Sequence, residues 1–127
     1  MVNRAGELLG VKWTHQGRHP QYGLDCAGLA IECALAAGIE VIAPTDYGRK
    51  VDQDYLISFI QAHCAPIQID SIEPGDLLLM AFQGVSQHLA IYVGDDWFIH
   101  SYEKQGVVKQ QLIPFWRKKV THAFRLS

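Results

Sequence analysis

The sequence predicts a single α+β domain over residues 1–127, with N-terminal helices packed on an antiparallel sheet of about five strands. Three observations predict it. The chain has 127 residues, enough for one hydrophobic core and too few for two. Helical spacing and helix-closing glycines fall before residue 66. From there on, apolar runs of strand length alternate with Pro-Gly-Asp and Gly-Asp-Asp turns. Helices first and strands afterwards is the order of an α+β fold.

Each element has a local reason. Residues 3–10 (NRAGELLG) read as a short helix closed by Gly10, and residues 11–24 (VKWTHQGRHPQYGL) as a loop rich in Gly, Pro and polar groups. Asp25 is a good N-cap for CAGLAIECALAAG, whose apolar positions run all round a helix that ends at Gly38. Such a helix is buried on most sides. After a turn-rich connection at 39–50, VDQDYLISFIQAHC carries Tyr55, Leu56, Phe59 and Ile60 at three-four spacing, the pattern of a second, surface helix. IEPGDLLLMAF is then a turn feeding an apolar strand, HLAIYVGDDWFIHSY a hairpin, GVVKQQLI a further strand, and VTHAFRL the strand that closes the sheet.

Composition excludes several classes. At 49% apolar and 19% charged residues the chain is neither disordered nor fibrous. Its net charge is −2, and the one basic run, Arg117-Lys118-Lys119, is too short for the broad footprint of a nucleic-acid interface. No window reaches the ~18 consecutive apolar residues of a membrane span. The start of the chain lacks the charged lead, apolar run and cleavage site of a secretory signal, so the expectation is a protein that is cytoplasmic at synthesis. Three cysteines, Cys26, Cys33 and Cys64, do not form a disulfide framework. Along a helix Cys33 would lie about 10.5 Å from Cys26, beyond bridging distance.

Cys26 opens the apolar helix, where unpaired N–H groups and the positive end of the dipole favour a thiolate. From GLDCAGL alone it is either a nucleophile or a buried inert thiol. A nucleophile needs a base and a group to orient the base. His88 opens one strand of the hairpin and His100 ends the other. With a two-residue Asp95-Asp96 loop and no bulge, position 91 would pair with 100 and the histidines would point to opposite faces. With a three-residue loop or a bulge, position 90 pairs with 100, and both imidazoles share a face on a diagonal of roughly 7–8 Å. The second register is the one predicted. It sets Tyr92 opposite Phe98 on the site face and turns Leu89, Ile91 and Val93 to a packing face. His88 would then accept the thiol proton and His100 would hold its tautomer, with the backbone N–H of Cys26 as an oxyanion donor. Zinc is the rival for one Cys and two His. The chain has neither C-x-x-C nor H-E-x-x-H, and the spacing His15-x-x-x-His19 lies in a loop, so no metal is expected.

Asp25-Cys26-Ala27-Gly28-Leu29, Pro74-Gly75-Asp76-Leu77, His88-Leu89-Ala90-Ile91-Tyr92-Val93-Gly94 and Phe98-Ile99-His100, in that order, resemble the NlpC-type cell-wall cysteine peptidases. The resemblance runs from about Leu8 to Val108. It implies a papain-like fold, a nucleophile at Cys26, a base at His88, an orienting residue at His100, and no cofactor. The implied reaction is hydrolysis of peptidoglycan stem peptides at the bond between γ-D-glutamyl and a diamino acid.

Substrate contacts are expected from Trp13, His15, Asp25, Ala27 and Gln87. Two of these depart from the family pattern. Ala27 stands where a serine commonly helps the aspartate shape the substrate-amine subsite, and Trp13 where a tyrosine often lines the cleft. The loop sequence HQGR resembles members of phage tails and gene-transfer particles, which implies delivery to the cell wall by a phage tail or a secretion machine. The alternatives are a structural tail-tip or assembly protein that keeps the fold, and a thiol amidase or acyltransferase delivered as an effector.

Overall fold

The computed structural model describes residues 1–14, 17–38, 60, 62, 64–82, 85–103 and 105–126. Helix α1 is Val2–Glu7. A minimal hairpin follows, β1 (Arg18–His19) with β2 (Gly23–Leu24), inside the segment expected to be plain loop. Helix α2, Cys26–Ala36, starts at the expected N-cap, Asp25. Gly38, with φ +86, lies just beyond it, in a conformation that a side chain disfavours. The connection expected at 39–50 lies outside the described residues, as does most of the helix expected at 51–64.

The remaining strands are β3 (Cys64–Ile67), β4 (Leu77–Phe82), β5 (Val85–Gly94), β6 (Trp97–Tyr102), β7 (Gly106–Gln111) and β8 (Val120–Leu126). A 3-10 turn at Ile69–Ser71 and a short helix α3 (Pro114–Arg117) join them. One antiparallel sheet results, in the order β3-β8-β4-β5-β6-β7. It has six strands rather than about five. The added strand is β3, of which only Cys64 falls within the helix expected at 51–64. Its Pro66 pairs with Phe124 at the sheet edge, where the missing N–H is tolerated.

The run Leu77-Leu78-Leu79-Met80 is apolar throughout because both faces of β4 are buried. Leu77 and Leu79 join Leu89, Ile91 and Ile99 against α1 and α2. Leu78 and Met80 join Ala90, Tyr92 and Phe98 under Trp116 of α3 and Ile67, Ile69 and Ile72. The expected division into a packing face and a site face is therefore too simple. The second face is packed as well, and its histidines are buried within it. No helix among the described residues is long and apolar enough to cross a membrane.

Three ties fix the start of α2. Leu24 N–H donates to Lys12 O, and Gly10 and Val11 exchange backbone bonds with Val107 of β7. Ser101 Oγ of β6 donates to Leu24 O. Residue 28 must be glycine, because a Cβ there would stand 2.0 Å from Gly17 O. The loop thus presses directly on the first turn of the helix.

Candidate active site

Cys26 is the first residue of α2, and Asp25 caps the helix by accepting from Gly28 N at 2.7 Å. The cap fixes the first turn and leaves Cys26 next to the positive end of the helix dipole. The thiol is nearly buried, in the core cluster between the helix and the sheet. The other two cysteines sit in unfavourable settings for a thiolate. Burial pushes Cys33 up to about 12 and Cys64 up to about 11.

The hairpin has the predicted register. Ile91 pairs with Ile99 and Tyr92 with Phe98, and the pairing shifts between Tyr92 and Gly94. The loop itself is the two-residue Asp95-Asp96 turn, both residues at positive φ (53 and 64), as a twisted two-residue hairpin requires. The bulge at Val93 therefore restores the parity that the short turn would have broken. His88 and His100 share a face, with His88 Nε2 and His100 Nδ1 2.8 Å apart and the rings at 82°.

Both imidazoles are buried, and burial holds both well below the usual imidazole range. For His88 the neighbouring His100 adds to this, while for His100 the bond to Gln110 opposes it. The pair is therefore neutral at ordinary pH. Helix α2 packs on β5 and β6, and the Ser101 tie holds the chain two residues before Cys26 onto the strand of His100. A helix-start thiol and a neutral, hydrogen-bonded imidazole pair on adjoining elements can support nucleophilic attack with general-base assistance.

The other expected residues divide. Asp25 and Ala27 are buried at the helix start and Trp13 is half-buried in the preceding loop. Gln87 lies on β5 beside His88, its side chain outside the described residues, and His15 lies outside them altogether. His19, the partner of His15 in the loop spacing, accepts at Nδ1 from Gln21 N at 3.1 Å.

Two neighbours of the histidines were not anticipated. Gln110 Oε1 lies 2.6 Å from His100 Nε2. It is opposite Phe98 on β7, so pairing the last two strands on paper would have found it. Trp116 of α3 sets its ring edge-on to His100, at 5.2 Å between centroids. Nothing in the sequence around residue 116 points to that contact.

The model of the NlpC/P60 family matches residues 10–125. The gamma-DL-glutamyl hydrolase of Bacillus subtilis is 29% identical over 112 residues, 85% of this chain and 24% of the relative. The Escherichia coli protein named murein DD-endopeptidase MepS/murein LD-carboxypeptidase is 30% identical over 57 residues, 44% of this chain and 30% of the relative. The chain thus spans about a quarter to a third of these relatives. Among solved structures, an NlpC/P60 family protein from Bacillus cereus superposes with a TM-score of 0.75 at 24% identity, covering 98% of this chain and 38% of that one. The NlpC/p60 domain of the peptidoglycan hydrolase SagA gives 0.67 at 21% identity, covering 99% and 94%. The shared fold is the papain-like α+β arrangement.

Proposed function

The chain belongs to the NlpC/P60 family, and we propose that it is a cysteine peptidase that hydrolyses peptidoglycan stem peptides at the bond between γ-D-glutamyl and a diamino acid. The observation that carries this reading is the buried His88–His100 hydrogen bond on the two strands, β5 and β6, against which the helix opened by Cys26 packs. An inert thiol has no use for it. The relative named as a gamma-DL-glutamyl hydrolase supports the γ-glutamyl side of that bond.

In the proposed reaction the Cys26 thiol gives its proton to His88 as Sγ attacks the γ-carbonyl carbon. The oxygen takes up negative charge near the N–H groups of the first turn of α2. The C–N bond then breaks, His88 returns the proton to the leaving amine, and a thioester remains on Cys26. His88 next takes a proton from water as it attacks the thioester, and the thiol leaves with the D-glutamyl γ-carboxylate formed. His100 orients His88 throughout.

The test uses a defined L-Ala-γ-D-Glu-diaminopimelate peptide in ¹⁸O-water. One ¹⁸O in the glutamyl γ-carboxylate is the expected product. An intact peptide, or transfer of the acyl group to an added amine without hydrolysis, contradicts the reading. Delivery to the wall by a phage tail or similar particle belongs to the same proposal and is supported by the HQGR loop resemblance alone. Co-sedimentation of the protein with tail particles tests it.

A further inference from the structure

We propose that Gln110 is a positioning residue of this site, which fixes the tautomers of both histidines and so leaves the lone pair of His88 on Nδ1. The inference rests on the proposed roles of Cys26 and His88.

For two neutral rings the geometry permits one assignment. A carboxamide oxygen only accepts hydrogen bonds. Gln110 Oε1 lies 2.6 Å from His100 Nε2, so that nitrogen carries a hydrogen. A neutral imidazole has one N–H, so His100 Nδ1 carries a lone pair. His88 Nε2 lies 2.8 Å from it and must be the donor. His88, neutral as well, then holds its remaining lone pair on Nδ1. Each N–H of the relay points toward Gln110, and the basic end is the ring nitrogen farthest from it.

Neutrality of both rings is supported by their burial and by the depressed proton affinity that follows. Phe98, Tyr102 and Trp116 surround the His100 ring at centroid distances of 4.9, 5.6 and 5.2 Å. Their faces offer no acceptor comparable to a carboxamide oxygen. Without Gln110 the pair can reverse, with His100 Nδ1–H donating to His88 Nε2. His88 would then carry its proton on Nδ1, and the base would be lost. When His88 instead takes the thiol proton, the aligned donors spread the positive charge toward Gln110 Oε1.

Gln110 is half-buried on β7, so variants there should fold. Gln110→Met keeps the shape and removes the acceptor, and Gln110→Glu keeps an acceptor oxygen. ¹⁵N spectra of labelled histidine should show both rings as Nε2–H tautomers in the wild type and a mixture in Gln110→Met. The Met variant should lose about 10–100-fold in kcat on the defined stem peptide, with KM within about twofold, and Gln110→Glu should recover most of the loss. Unchanged tautomers and kcat in Gln110→Met, or equal damage in Met and Glu variants, overturn the proposal. If the wild-type protein cleaves no stem peptide, the peptidase reading fails, and the tautomer spectra still decide the role of Gln110.

Discussion

His88 on β5 and His100 on β6 are joined through their side chains at 2.8 Å where the backbones of the two strands are not paired. Among the described residues the ladder between these strands starts at Ile91↔Ile99, while His88 pairs with Met80 and His100 with Val108. The imidazole pair therefore links two strands that are each held by their other neighbour. Replacing His100 should separate the base from its support. His100→Ala is expected to lower kcat by about 100-fold or more with a small change in KM. Steady-state kinetics on the defined peptide check it.

The burial of the pair also sets a pH dependence of folding. Both histidines have folded-state proton affinities below the ordinary value of 6.5, so the unfolded chain binds protons that the folded one refuses. Stability is complete above about pH 6.5 and falls as the pH drops below it, by up to ~1.4 kcal/mol per pH unit for each imidazole. Urea unfolding from pH 7.5 to 5 measures this slope. Replacing His100 with leucine should flatten it.

The three thiols should differ sharply. Burial raises Cys33 to about 12 and Cys64 to about 11, while Cys26 sits at a capped helix start. Iodoacetamide at pH 7 is expected to label Cys26 well before the other two. Peptide mapping of the alkylated native protein gives the order, and equal slow labelling would count against an activated thiol.

The start of α2 is held by contacts that single substitutions remove. Ser101→Ala leaves the Leu24 carbonyl without its buried donor, at an expected cost of about 1–3 kcal/mol. Gly28→Ala forces a methyl group to within 2.0 Å of Gly17 O and should cost at least as much, about 1–3 kcal/mol from overpacking. Urea midpoints measure both. Activity should fall in each, because the displaced element carries Cys26.

Much of this arrangement is legible in the chain itself. Asp25 before a largely apolar segment gives the helix and its cap. The alternation of Leu89, Ile91 and Val93 with His88, Ala90 and Tyr92 restricts the hairpin to two registers, and a bulge at Val93 selects the one that unites the histidines. Strand β3 is less legible, since CAPI is short, holds a proline and follows a segment with helical spacing. Trp116 is not legible at all. Its contact with His100 depends on how α3 folds back over the sheet, and residue spacing carries no record of that.

The central claim is that Cys26 and His88 act together as nucleophile and base on peptidoglycan. Its most direct measurement is the release of soluble muropeptides from purified sacculi by the wild type, Cys26→Ala and His88→Ala, each first shown to be folded by circular dichroism. Release by the wild type with near-complete loss in both variants is the predicted result. Equal release by all three, or none by any, would contradict the claim.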